Sequence, residues 1–192
     1  MKLIITDVET GGLDPSYHSL LSIAMIMYDT ARGEGRGGKI TSVYTTDVLP
    51  VTGTYHVDPD ALKVNKIDLL QHSREARHPE VVAQEITRWV SVHAGDEQPI
   101  IAGWNVQFDC SFLREFLGRD VFGRLFSYRT VDIHAIIAYK SILGEIPYTK
   151  SLEKAAKYFG ILKHGKTQPH SAYLDAIITA QLLRKLLTSH NN

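Results

Sequence analysis

The chain has 192 residues, 44% hydrophobic and 22% charged, which describes a globular domain and excludes a disordered tail or a coiled coil. Its 21 Lys and Arg balance its 21 Asp and Glu, so it does not coat DNA through bulk positive charge, although metal ions can still hold nucleic acid locally. A single cysteine, Cys110, excludes a disulfide framework and any cysteine-rich zinc module.

One domain over residues 1–192 is expected, large enough to bury about 70% of its unfolded surface. No apolar run approaches the ~18 residues of a membrane span, and the opening Met1–Ile5 run meets Asp7 too soon for a signal peptide. A cytoplasmic protein with no membrane partner is expected. Lys2–Thr6 reads as a short strand stopped by Asp7, with Gly11-Gly12 and Asp14-Pro15 as turn signals behind it. Leu20–Tyr28 is apolar without alternation, hence a central buried strand. The glycine-rich stretch from Asp29 to Lys39 reads as a hairpin tip, whose Arg32, Arg36 and Lys39 read either as a solvated loop or as a surface that steers a nucleic-acid backbone, and Ile40–Thr46 as a third strand. Residues 49–79 show weak patterning, and a long connection with one or two short helices is expected.

Beyond it the period lengthens. Val81, Val82, Ile86, Trp89 and Val90 fall at helical spacing, closed by Gly95. Pro99–Ala102 is a short strand ended by Gly103. Phe108, Phe112, Leu113, Phe116 and Leu117 share a helix face that Gly118 terminates. Phe126–Val131 is predicted as a fifth strand, and Asp132 to about Leu143 as a helix. Ser151 caps a short helix ended by Gly160. Leu174, Ile177, Ile178, Leu182 and Leu186 line the last helix, and no partner-binding tail is expected after it. Strands first and then helices alternating with strands give the α/β class.

Three acidic segments carry the chemistry. Asp7 and Glu9, at i and i+2 on a strand, put two carboxylates on one face, at the carboxyl end where α/β folds place ligands. Asp109 follows Phe108, a core residue, which angles its carboxylate toward the rim of the core, and Asn105 is placed to cap the helix they open. Asp175 shares a face with Ile178 and Leu182, on the apolar side of the last helix, where an unpartnered carboxylate is costly and a metal ion relieves it. His170 stands just after Pro169 at the mouth of that helix. Converging carboxylate oxygens suit magnesium or manganese over zinc or copper.

Asp7-Val8-Glu9-Thr10-Gly11-Gly12-Leu13, Asn105-Val106-Gln107-Phe108-Asp109 and His170-Ser171-Ala172-Tyr173-Leu174-Asp175 resemble the three motifs, in order, of the DEDDh (DnaQ-like) 3′–5′ exonucleases. That resemblance implies the ribonuclease H-like fold, a central mixed five-stranded sheet flanked by helices. It implies Asp7, Glu9, Asp109 and Asp175 as ligands of two divalent ions, Mg²⁺ or Mn²⁺. It implies His170 as the general base that deprotonates the attacking water, with His164 as its rival, and 5′-mononucleotides as products. Lys163, His164 and Lys166 in the loop before His170 are candidates for phosphate contacts. Thr10, Gly11 and Leu13 would meet the terminal nucleotide, with Trp104, Asn105 and Phe108 close by. Asp132 reads as a cap or orienting residue and not as a ligand.

Two positions depart from the family pattern: Gly12 stands where many members carry threonine, and Trp104 where many carry histidine. Both bear on substrate preference and neither on the ligands. Trp104 reads either as a stacking platform for a base or as a packed core residue. The expected substrate is single-stranded nucleic acid or a frayed 3′ end, DNA or RNA, in proofreading beside a polymerase, in repair or in RNA trimming. A stand-alone nuclease or a small-complex component is expected. The competing readings are a phosphodiesterase for small nucleotides or dinucleotides and a non-catalytic nucleic-acid-binding module.

Overall fold

The computed structural model describes residues 1–31, 37–162 and 171–188. Five strands form one mixed sheet in the order β3-β2-β1-β4-β5. β1 (Lys2–Thr10), β2 (Leu20–Asp29) and β3 (Lys39–Asp47) form an antiparallel meander, and β4 (Ile100–Gly103) and β5 (Thr130–Asp132) add in parallel beside β1. The fold is the mixed, helix-flanked five-stranded sheet expected from the motifs.

β1 and β2 sit inside the sheet, and their side chains split between two cores. Ile4, Val8, Ile23, Met25 and Met27 face one layer, built by α3 (Pro79–Ala94), α4 (Val106–Leu117) and α5 (Arg119–Leu125). Leu3, Ile5, Ala24, Ile26 and Tyr28 face the other, built by α6 (Ile133–Ile142), α7 (Leu152–Tyr158) and α8 (Ala172–Thr188). This two-sided burial explains the continuous apolar run of β2. β3, at the sheet edge, instead alternates exposed and half-buried residues along its length.

Residues 49–79 contain α1 (Pro59–Asn65) and α2 (Leu69–Glu75), the two short helices the weak pattern allowed. His72 ties α2 down: its Nε2 lies 2.8 Å from the Leu21 carbonyl oxygen and its Nδ1 2.7 Å from the Tyr55 hydroxyl. Ser151 accepts from the Lys154 N–H and caps α7, as its position at the helix start predicts.

Two boundaries differ from expectation. β1 does not stop at Asp7. Its pairing with β2 continues through Asp7↔Ala24 and Glu9↔Ser22 to Thr10, because both acids project from the ladder without interrupting its backbone bonds. The segment from Phe126 to Val131 is not one strand: β5 covers Thr130–Asp132 only, and Arg119–Leu125 is helical. Phe122 and Phe126, four residues apart, stack with centroids 5.0 Å apart on the core side. That spacing belongs to a helix face and carries the chain on to Phe126. No helix among the described residues is long and apolar enough to cross a membrane.

Candidate active site

The acids meet above the carboxyl ends of β1 and β4. Asp7 and Glu9 alternate with Val8, so they share the sheet face of Leu3 and Ile5, the face on which α8 packs. Asp175, in the first turn of α8, comes down on them from that layer. One carboxylate oxygen from each of Asp7, Glu9 and Asp175 lies within 4.8 Å of the others.

Asp109 arrives from the opposite layer, in the first turn of α4, and is 3% exposed. Its Oδ1 accepts the Val8 N–H at 3.0 Å, which holds it against the backbone between Asp7 and Glu9. Asp7, Glu9 and Asp175 form one group, and Asp109 stands on its flank through the Val8 N–H. No histidine or cysteine joins the cluster among the described residues. The donor set is entirely carboxylate oxygen, which fits a hard divalent ion such as Mg²⁺ or Mn²⁺.

The electrostatics point the same way. Burial holds the Asp7 carboxyl well above the usual carboxylate range, and Asp109, Asp175 and Glu9 push it further. Glu9 is raised to about 7, by burial first and then by Asp175. Burial also raises Asp109, against the lowering effect of backbone hydrogen bonds including that from Val8. Cys110, buried beside Asp109, is pushed up to about 12 and is therefore a thiol at neutral pH.

These shifts give a pH signature. Glu9 begins to ionise near 4.5 in the unfolded chain and near 7 in the folded one, so across that window the unfolded state loses protons first. Metal-free protein is therefore expected to lose melting temperature as pH rises from 5 to 8. Added Mg²⁺ or Mn²⁺, which needs the ionised carboxylates, is expected to raise the melting temperature more at pH 8 than at pH 5. Thermal melts with and without EDTA check both signs. An equal metal shift at the two pH values contradicts this account.

A pocket of about 500 Å³ opens beside Glu9, lined by Thr10, Leu13, Val64, Asn65 and Phe108 among others. Backbone ties shape its rim. Asn65 Nδ2 donates to the Thr10 carbonyl at 3.1 Å, Thr10 Oγ1 to the Gly12 carbonyl at 2.7 Å, and the Asp58 N–H to the Gly11 carbonyl at 2.6 Å. Gly11 must be glycine, because a Cβ there would lie 2.3 Å from the His56 carbonyl oxygen. A Cβ on Gly12 would lie 2.4 Å from the His18 ring. That ring accepts the Asp14 N–H on Nδ1 at 3.0 Å, which leaves its Nε2–H to donate to Asp58 at 3.1 Å. Leu13 then projects at the loop tip, 81% exposed.

Of the remaining candidates, Asn105 occupies the N-cap position of α4 but makes no side-chain cap bond. It turns the chain in the left-handed conformation, φ 57°, which asparagine tolerates better than most residues. Its N–H donates to Asp132 Oδ1 at 3.3 Å, and Asp132 also accepts from His134 and Ala135 as the cap of α6. Trp104 is absent from the pocket lining and instead packs, half-buried, against the His134 ring at 4.9 Å. His170 lies outside the described residues, as do His164, Lys163, Lys166, Arg32 and Arg36. His18, Asp58, Val64 and Asn65 went unnoticed in the sequence. No motif marks them: His18 lies in the β1–β2 loop and Asp58, Val64 and Asn65 lie in and before α1, and only the fold brings them to the first motif.

The sequence model of the RNase_T family, described as exonuclease, matches residues 4–183. The chain belongs to this exonuclease family. It is 28% identical over 190 residues to the ribonuclease T of Wigglesworthia glossinidia brevipalpis, covering 96% of this chain and 83% of that protein. Its fold is similar to that of Escherichia coli Exonuclease I in complex with a dT13 oligonucleotide, with a TM-score of 0.78 at 16% identity over 97% of this chain. This chain spans 41% of the Exonuclease I chain. A zinc-bound form of the E. coli Exonuclease I complex with single-stranded DNA is similar at a TM-score of 0.72 and 19% identity, over 99% of this chain and 41% of that one.

Proposed function

We propose that this exonuclease-family chain is a 3′–5′ exonuclease that removes 5′-mononucleotides from single strands or frayed ends through two Mg²⁺ or Mn²⁺ ions. The observation that carries the reading is the convergence of Asp7, Glu9 and Asp175 within 4.8 Å, with Asp109 on their flank, beside a nucleoside-sized pocket. Bound divalent ions would supply Lewis-acid charge at the scissile phosphate and acidify the attacking water. The chain's own residues do the rest. Asp7, Glu9, Asp109 and Asp175 hold the cations. Leu13, Val64 and Phe108 offer apolar surface to the terminal base, while Thr10 and Asn65 fix the loop that carries Leu13. Water is kept from the far side of the acids by the packed layer of α4.

His170, by its place just before α8, is the base in this reading and takes the proton of the attacking water. An imidazole suits that role because its ordinary pKa, about 6.5, lets it accept a proton near neutrality. A chain without net charge fits a substrate gripped at its end, where few phosphates are contacted and salt dependence is shallow.

The test is a 5′-labelled single-stranded DNA and its RNA counterpart, incubated with Mg²⁺, Mn²⁺, Zn²⁺ or EDTA. A metal-dependent ladder shortening from the 3′ end is expected, and the two sugars are ranked on one gel. Intact strands under every metal condition would overturn the reading.

A further inference from the structure

Beyond the pocket for the terminal nucleotide, three rings stand in a row on the opposite side of the acids. Trp104 follows β4 directly. Ile5 pairs with Ala102, so two residues further on Trp104 comes level with Asp7, on the sheet face that Asp7, Glu9 and Asp175 share. Its ring lies 4.9 Å from that of His134, and His134 lies 5.8 Å from Tyr148, whose hydroxyl is 3.3 Å from His134 Nε2. The row runs from half-buried Trp104 and His134 to Tyr148, which is 52% exposed. It leads away from the acids over the β4–β5 side of the sheet, whereas the pocket lies on the side of α1 and the β1–β2 loop.

Charge along the outer end suits an anionic chain. Lys150 and Lys154, exposed beside Tyr148 in sequence, make no ion pair among the described residues. The nearby acids Glu145 and Glu153 are engaged by Lys140 and Lys157. Exposed rings such as Tyr148, next to lysines without an ion pair, bind single-stranded nucleic acid without regard to base identity.

We propose that Trp104, His134 and Tyr148 form an aromatic track that carries the strand upstream of the scissile bond, with Lys150 and Lys154 beside its phosphates. The proposal rests on the nuclease reading and adds to it where the rest of the substrate lies. A site with a terminal pocket alone gains nothing from a longer strand. A site with the track gains affinity for each nucleotide that reaches it.

The experiment compares KM for dithymidylate and decathymidylate in the unmodified protein, Tyr148→Ala and Tyr148→Phe. The mononucleotide probe, the p-nitrophenyl ester of thymidine 5′-monophosphate, measures the chemistry by itself. The unmodified protein is expected to favour the decamer. Tyr148→Ala is expected to shrink the ratio of the two KM values about tenfold, and Tyr148→Phe, which keeps the ring, to preserve it. An unaltered ratio in a folded Tyr148→Ala protein overturns the track, and so does an equal loss on both lengths, which indicates a disturbed site. Hydrolysis of both strands without any length preference in the unmodified protein overturns the track and leaves the nuclease reading standing. No hydrolysis of ester or strand with any metal overturns both.

Discussion

Replacing Asp7 by asparagine is expected to abolish nuclease activity and, in the same protein, to raise the metal-free melting temperature. Both effects follow from one arrangement. Asp7 stands at the centre of the acidic cluster, half-buried, where loss of solvation raises its carboxyl and Asp109, Asp175 and Glu9 all act on it. With metal bound, those charges are the binding energy, and the loss of one central ligand is expected to cost at least about a thousandfold in rate, roughly 4 kcal/mol at 1.36 kcal/mol per decade. Without metal the same charges oppose folding, and a neutral amide of equal size removes the repulsion at little cost in packing. Each kcal/mol recovered is expected to appear as about 2–4 °C in a chain of this length. A structural carboxylate behaves in the opposite way and loses stability when neutralised. A metal-free Asp7→Asn protein that melts lower than the unmodified one would therefore count against a metal-binding role.

His170→Ala is expected to lower kcat by about 10²–10⁴-fold while metal binding, read from the Mg²⁺-dependent rise in melting temperature, persists. The two readouts separate a base from a ligand: Asp7→Asn loses both and His170→Ala loses one. The pH profile is the third readout. A base of ordinary imidazole pKa gives a limb of kcat near pH 6.5, and that limb is expected to vanish in His170→Ala. Full activity in His170→Ala, with inactivity in His164→Ala, would move the role to His164.

The sheet was legible wherever burial imposes a pattern. The unbroken apolar run of β2 and the helical spacing in α3, α4 and α8 each follow from contact with one or both cores. The acids were legible for a related reason, since Asp109 and Asp175 sit on apolar helix faces where a carboxylate conflicts with its neighbours. Arg119–Leu125 was not legible as a helix, because two turns are too short to show a period, and its apolar residues Val121, Phe122, Leu125 and the following Phe126 suit a strand as well. The end of β1 was misjudged because a charge was taken to interrupt a ladder that depends only on backbone atoms. The pocket rim stayed hidden altogether. It is made by contacts such as Asn65 to the Thr10 carbonyl, 55 residues apart, and by loops with no period to read.

The contact between Gly12 and His18 also bears on how the family pattern is departed from. Many members carry threonine at the position of Gly12, and in this chain the imidazole fills the space that such a side chain would need. The two residues thus form one unit with two alternative fillings, a branched side chain from the first motif or a ring from six positions on. Neither can be exchanged alone without either a collision or a hole beside the nucleotide pocket. Across the family the two positions are expected to change together, with glycine at the first accompanied by a flat ring at the second.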